Sequence, residues 1–126
     1  MSKTRALIKK EKGASTVEFA IVLPVLVTIL VGIFQLGIAF NGYLAITHAA
    51  REGARQASVG NYDEQTVRSD SYPVKPTVVS LSYPEGEGHG LPIRVTVRYD
   101  YSLSIPFFGN QVIPLESHAE MRAETL

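Results

Sequence analysis

FAIVLPVLVTILVGIFQLGIAF, from Phe19 to Phe40, is a run of twenty-two residues without a formal charge. As a helix it would be about 33 Å long, against a hydrocarbon core of about 30 Å, so it is long enough to cross a membrane. A cleaved secretory signal needs a shorter apolar region, about 7 to 15 residues, with a small-x-small site just after it. A buried helix of a soluble protein needs a body large enough to cover apolar side chains on every face, and the chain has only 126 residues. The run therefore reads as a membrane-spanning helix.

Charge around the run sets its direction. Lys3, Arg5, Lys9, Lys10 and Lys12 outweigh Glu11, giving residues 1–13 a net +4; since the whole chain is neutral, the remainder carries −4. A basic flank stays in the cytoplasm. The expected topology is single-pass, with residues 1–13 inside and everything after Phe40 outside. The balanced total gives no sign of nucleic acid as a partner. With no cysteine in the chain, disulfides and thiol chemistry are excluded.

Inside the run, Pro24, Thr28, Gly32, Gln35 and Gly37 interrupt the apolarity. Such residues are tolerated where neighbouring helices satisfy the freed backbone groups, and Gln35 is placed to hydrogen-bond another helix. At its start stands Glu18. Ser15 and Glu18 form an S-x-x-E capping box in which the acid faces the positive end of the helix dipole. The second reading is a functional acid with a named partner, as befits a carboxylate at the edge of an apolar span.

Past Phe40 the helical pattern continues through NGYLAITHAAREGARQAS, with no proline before Pro73 and a stop at Val59-Gly60-Asn61. His48, Arg51, Glu52 and Arg55 share one face; Tyr43, Ile46, Ala50, Gly53, Ala54 and Ala57 share the other. Ala45, Ala49, Gly53 and Ala57 recur every four residues, so a second backbone can approach closely. The partner is either the chain's own sheet or another subunit. An unbroken helix from near Ser15 to near Ser58 would be about 66 Å long.

Residues 60–76 are polar and turn-rich and read as a connector, with a short helix near Asp63 to Arg68. Its acids lack EF-hand spacing. Residues 77–126 carry period-two alternation in three stretches: Val79-Leu81-Tyr83, Ile93 to Leu103, and Leu115 to Ala123. Three strands in sequence order make an antiparallel meander with its apolar face on the helix. The fold class is thus α+β: a long N-terminal helix, transmembrane over about 19–40 and amphipathic over 41–59, packed on a small three-stranded antiparallel sheet. The glycine-rich loop at 84–90 lacks the context of a phosphate cradle and reads as a hairpin connection. Two aromatics, Phe107 and Phe108, mark the second connection, where they would cap the sheet edge or meet another subunit. No nucleophile elbow, zinc-protease motif or Walker loop is present, and His48, His89 and His118 are scattered. Neither a metal nor another cofactor is expected, and the chain does not read as an enzyme.

Gly13-Ala14-Ser15-Thr16-Val17-Glu18-Phe19, after a Lys-rich leader and before an apolar helix, resembles the processing site of type IV prepilins. From VEFAIVLPVL to the AAREGAR run at Ala49–Arg55, the chain is similar to the TadE-like pseudopilins of tight-adherence (Tad/Flp) pilus systems; Ala119 to Glu124 resembles that family's C-terminal ends. The resemblance implies removal of the 1–13 leader by prepilin peptidase between Gly13 and Ala14, leaving a mature helix over 14–59. It implies that Glu18, the fifth mature residue, pairs with a neighbouring subunit's new N-terminus. The implied partners are the cytoplasmic membrane, the peptidase, other pilins and the assembly platform. The alternative is a permanently membrane-anchored extracytoplasmic binding module, which has no reason to lose its leader.

Overall fold

The computed structural model describes the backbone of residues 2–125 and the side chains of residues 12–125. Helix α1 (Ser2–Ser58) is followed by α2 (Glu64–Asp70) and by strands β1 (Val78–Ser82), β2 (Pro92–Ile105) and β3 (Gly109–Arg122). The strands form one antiparallel sheet in the order β1-β2-β3. The α+β arrangement, one long helix on a three-stranded meander, stands as the sequence reads it.

The start of α1 differs from expectation. The helix does not begin near Ser15 but runs through this position from Ser2. Residues 3–12 are rich in Ala, Leu, Lys, Arg and Glu, all strong helix formers, and one glycine in a helix interior costs only about 1 kcal/mol relative to alanine. Ser15 therefore lies inside the helix and caps nothing, which removes the capping-box reading of Glu18. The upper end of α1 stops as expected. Gly60, at φ +72°, sends its N–H to the Ala57 carbonyl (3.1 Å), and Asn61 sends its N–H to the Gln56 carbonyl (2.9 Å). This is the Schellman arrangement. The Ser58 carbonyl accepts from the N–H groups of Glu124 (2.8 Å) and Thr125 (3.2 Å), tying the end of the chain to the end of the helix.

The core is small. Ile46, Ala49, Ala50, Ala54 and Ala57 of α1 pack with Val67 of α2, Ile93, Val95 and Val97 of β2, and Ala123. The buried face of α1 is turned slightly from the expected one: Gly42 is buried and Tyr43 is exposed. A Cβ on Gly42 would stand 3.3 Å from Val74 Cγ2 and 3.5 Å from the Tyr99 ring, so the head packs closely on the helix here because it has no side chain. Alternation along β2 is regular, with Ile93, Val95, Val97 and Tyr101 buried and their intervening neighbours half-buried or exposed. Thr47 Oγ1 donates to Ser117 Oγ at 3.0 Å, a polar pin between α1 and β3.

Strand β3 begins earlier than its alternation suggests. Gly109 to Pro114 pair with Asp100 to Ile105 although all six residues are exposed. Their pairing follows from the tight turn at 106–108, which feeds β3 straight back along β2. Met121, expected on the apolar face, is 38% exposed at the outer edge of the sheet. The connector supplies α2, whose N-cap Asp63 accepts from the N–H groups of Gln65 and Thr66.

Strand β2 descends antiparallel to α1. Val95 lies beside Gly53, Tyr99 beside Gly42 and Ser104 beside Gln35, so the lower half of the β2–β3 hairpin flanks the apolar run rather than the amphipathic extension.

Candidate functional site

The candidate site is the helix itself, and its two halves meet different surroundings. From Lys12 to Phe40 the side chains are mostly exposed: Phe19 is 64% and Phe34 77% accessible. This helix is long and apolar enough to cross a membrane, and none of its most apolar window is buried by the rest of the chain.

Within that stretch, Gly13, Ala14 and Glu18 are exposed and lie in the helix interior. A Cβ on Gly13 would meet nothing within 4 Å, so packing within this chain does not call for glycine there. Thr16 Oγ1 donates to the Lys12 carbonyl at 2.8 Å, and Thr28 Oγ1 to the Pro24 carbonyl at 2.8 Å. Both are back-bonds that compete mildly with the helix ladder. Pro24 has no N–H to give the Ala20 carbonyl.

The stripe at Ala45, Ala49, Gly53 and Ala57 meets the chain's own head in its upper part. Ala49, Gly53 and Ala57 are buried and Ala45 is half-buried. A Cβ on Gly53 would stand 2.8 Å from Val67 Cγ2 and 3.1 Å from Val95 Cγ1, too close for either valine to stay in place. Gly32 and Gly37, lower down, have nothing within 4 Å.

Gln35 does not reach for another helix. Its side-chain amide takes both backbone groups of Ser104: Oε1 accepts from the Ser104 N–H at 2.8 Å, and Nε2 donates to the Ser104 carbonyl. Tyr101 adds a hydroxyl bond to the Gln35 carbonyl at 3.3 Å. Nothing in the sequence announces this pairing across 69 positions.

The perturbed titrations lie in the extension and connector. The Arg55 guanidinium, hydrogen-bonded to Glu52, holds that carboxyl below its ordinary value and is itself raised by the same bond. Asp63 is lowered by the Thr66 hydroxyl and the Gln65 N–H, while burial raises Tyr62. Among the described residues, no three of His, Asp and Glu stand together as a metal site.

Neither the curated proteins nor the solved structures yield a match. A family model does: residues 13–55, from Gly13 through the apolar run and the small-residue stripe to Arg55, match the family described as TadE-like protein.

Proposed function

We propose that the chain is a minor pilin or pseudopilin of a tight-adherence (Tad/Flp) pilus system, a structural protein without catalytic activity. The observation that carries this reading is the TadE-like match over a helix whose lower half is apolar and uncovered. Exposed apolar surface is unfavourable in water by roughly 25 cal/mol per Å². Lipid covers the lower half before assembly, and neighbouring pilins cover it afterwards. Residues 1–13 stay in the cytoplasm and the head lies outside.

Prepilin peptidase cuts between Gly13 and Ala14. A peptide bond in a helix must unwind before a protease can take it in extended form. Gly13, Ser15, Thr16 and Val17 are among the weaker helix formers, which lowers the cost of opening α1 here. Cleavage removes a net +4 and creates an α-ammonium on Ala14. Glu18 then pairs with that group on a neighbouring subunit, where low dielectric strengthens the attraction.

Mass spectrometry of membrane-extracted protein, co-expressed with a Tad-type peptidase, tests the reading. The expected N-terminus is Ala14, and Gly13→Leu blocks processing. A chain that keeps its leader beside an active cognate peptidase overturns the pilin reading and leaves the anchored binding module.

A further inference from the structure

The lower half of the β2–β3 hairpin lies against a stretch of α1 that the membrane reading gives to lipid. Ser104 is held by Gln35, and the tip residues Phe107 and Phe108 line one shallow concavity with Pro24, Val25, Thr28 and Ile29. At 1.5 Å per residue that concavity is about 16–24 Å below Phe40, deep in a hydrocarbon core of about 30 Å. The hairpin is not built for such depth. β3 is an edge strand, so the backbone groups that Gly109 to Pro114 turn outward have no partner among the described residues, and Asn110 and Gln111 add polar side chains. Unpaired backbone groups are strongly unfavourable in hydrocarbon.

Nor does the span slide down to make room. The twenty residues ending at Pro24 include Arg5, Lys9, Lys10, Glu11, Lys12 and Glu18, whereas Phe19 to Phe40 carry no charge. A docked hairpin and a lipid-covered α1 therefore exclude each other. The hairpin is separable from the rest of the head, because no residue from Ser102 to Pro114 is buried and the core around Ile46, Ala50, Val95 and Val97 lies above it. Its polar attachments to α1 among the described residues all converge on Gln35: the two amide bonds to Ser104, and the Tyr101 hydroxyl on the Gln35 carbonyl at 3.3 Å.

We propose that the lower hairpin is a clasp with Gln35 as its latch, open while α1 spans the membrane and closed on α1 once the subunit has left the lipid for the filament. The proposal rests on the reading of the chain as a membrane-inserted pilin. The arrangement described above is the closed one. Opening keeps the polar edge of β3 on the aqueous side and leaves the Gln35 amide to a neighbouring helix. Closing returns that amide to Ser104 without disturbing the core.

The chain has no cysteine, so introduced pairs are the only ones that oxidise. Thr28→Cys with Phe108→Cys spans the clasp; Thr47→Cys with Ser117→Cys, where the two hydroxyl oxygens stand 3.0 Å apart, is the control pair above it. Each full-length protein is oxidised with copper phenanthroline in phosphatidylethanolamine–phosphatidylglycerol vesicles and in pili sheared from cells that hold the peptidase and assembly platform. A fluorophore at Ile21→Cys, quenched by brominated acyl chains, reports the span. The control disulfide is expected in both settings, and the clasp disulfide several-fold more complete in pili than in vesicles. Gln35→Leu lowers the clasp yield in pili several-fold and leaves quenching at 21 unchanged; an unchanged yield overturns the assignment of the latch. A clasp disulfide as complete in vesicles as in pili, with 21 quenched by lipid, overturns the clasp alone. So does its absence from protein recovered in pili with the control disulfide formed. Loss of lipid quenching at 21, or protein that never reaches the pili, overturns the reading on which the clasp rests.

Discussion

The two halves of α1 use glycine for opposite ends. In the upper half, Gly42 and Gly53 are places where the head's own side chains press against the helix backbone. In the lower half, Gly13, Gly32 and Gly37 face nothing in this chain. A small residue thus records a contact made within the molecule above and leaves room for one outside it below.

The largest expected effect breaks the lower half alone. Glu18→Ala abolishes pilus assembly while the protein stays membrane-inserted, because one acid contributes nothing to a twenty-two-residue apolar span. Piliation and co-purification with other pilins check this, and normal values for both would leave Glu18 without an assembly role. Next comes Gly53→Leu, which drives a side chain into Val67 and Val95. Overpacking of this kind costs about 1–3 kcal/mol, and about 1 kcal/mol moves the melting temperature of so small a domain by about 4–8 °C. A melt of the full chain in detergent reads it, and an unchanged midpoint would show that the contact does not bear on stability. Gly37→Leu sharpens the contrast: the same melt stays unchanged, while cross-linking to pilin partners falls.

The smallest effect concerns Asp63. Its carboxyl is held below the ordinary value by its hydrogen bonds to Thr66 and Gln65, so its capping of α2 is fully present above the ordinary carboxylate range of about 4. As pH falls through the lowered value the cap is lost. An acid titration of the Gln65 and Thr66 amide signals follows this, and Asp63→Asn removes the pH dependence while retaining a capping oxygen.

Much of the fold is legible in the sequence because it is periodic: the apolar run, the helical extension and the alternation of β2. What is not legible depends on partners distant in the chain. Gln35 looks like a helix-to-helix donor until Ser104 is seen beside it. Residues 109–114 lack alternation because neither face is buried, and only the turn assigns them to a strand. At the start of α1, a glycine and a capping pattern look like a boundary, and the helix formers before them carry the helix through it.

The antiparallel course of β2 along α1 also has a mechanical meaning. Tension along the helix axis loads the contacts at Gly53, Gly42 and Gln35 together, in shear. A sideways pull on the head loads them one after another, and they peel. On the pilin reading, a subunit built this way would be stiff along the direction in which a filament is stretched and compliant across it.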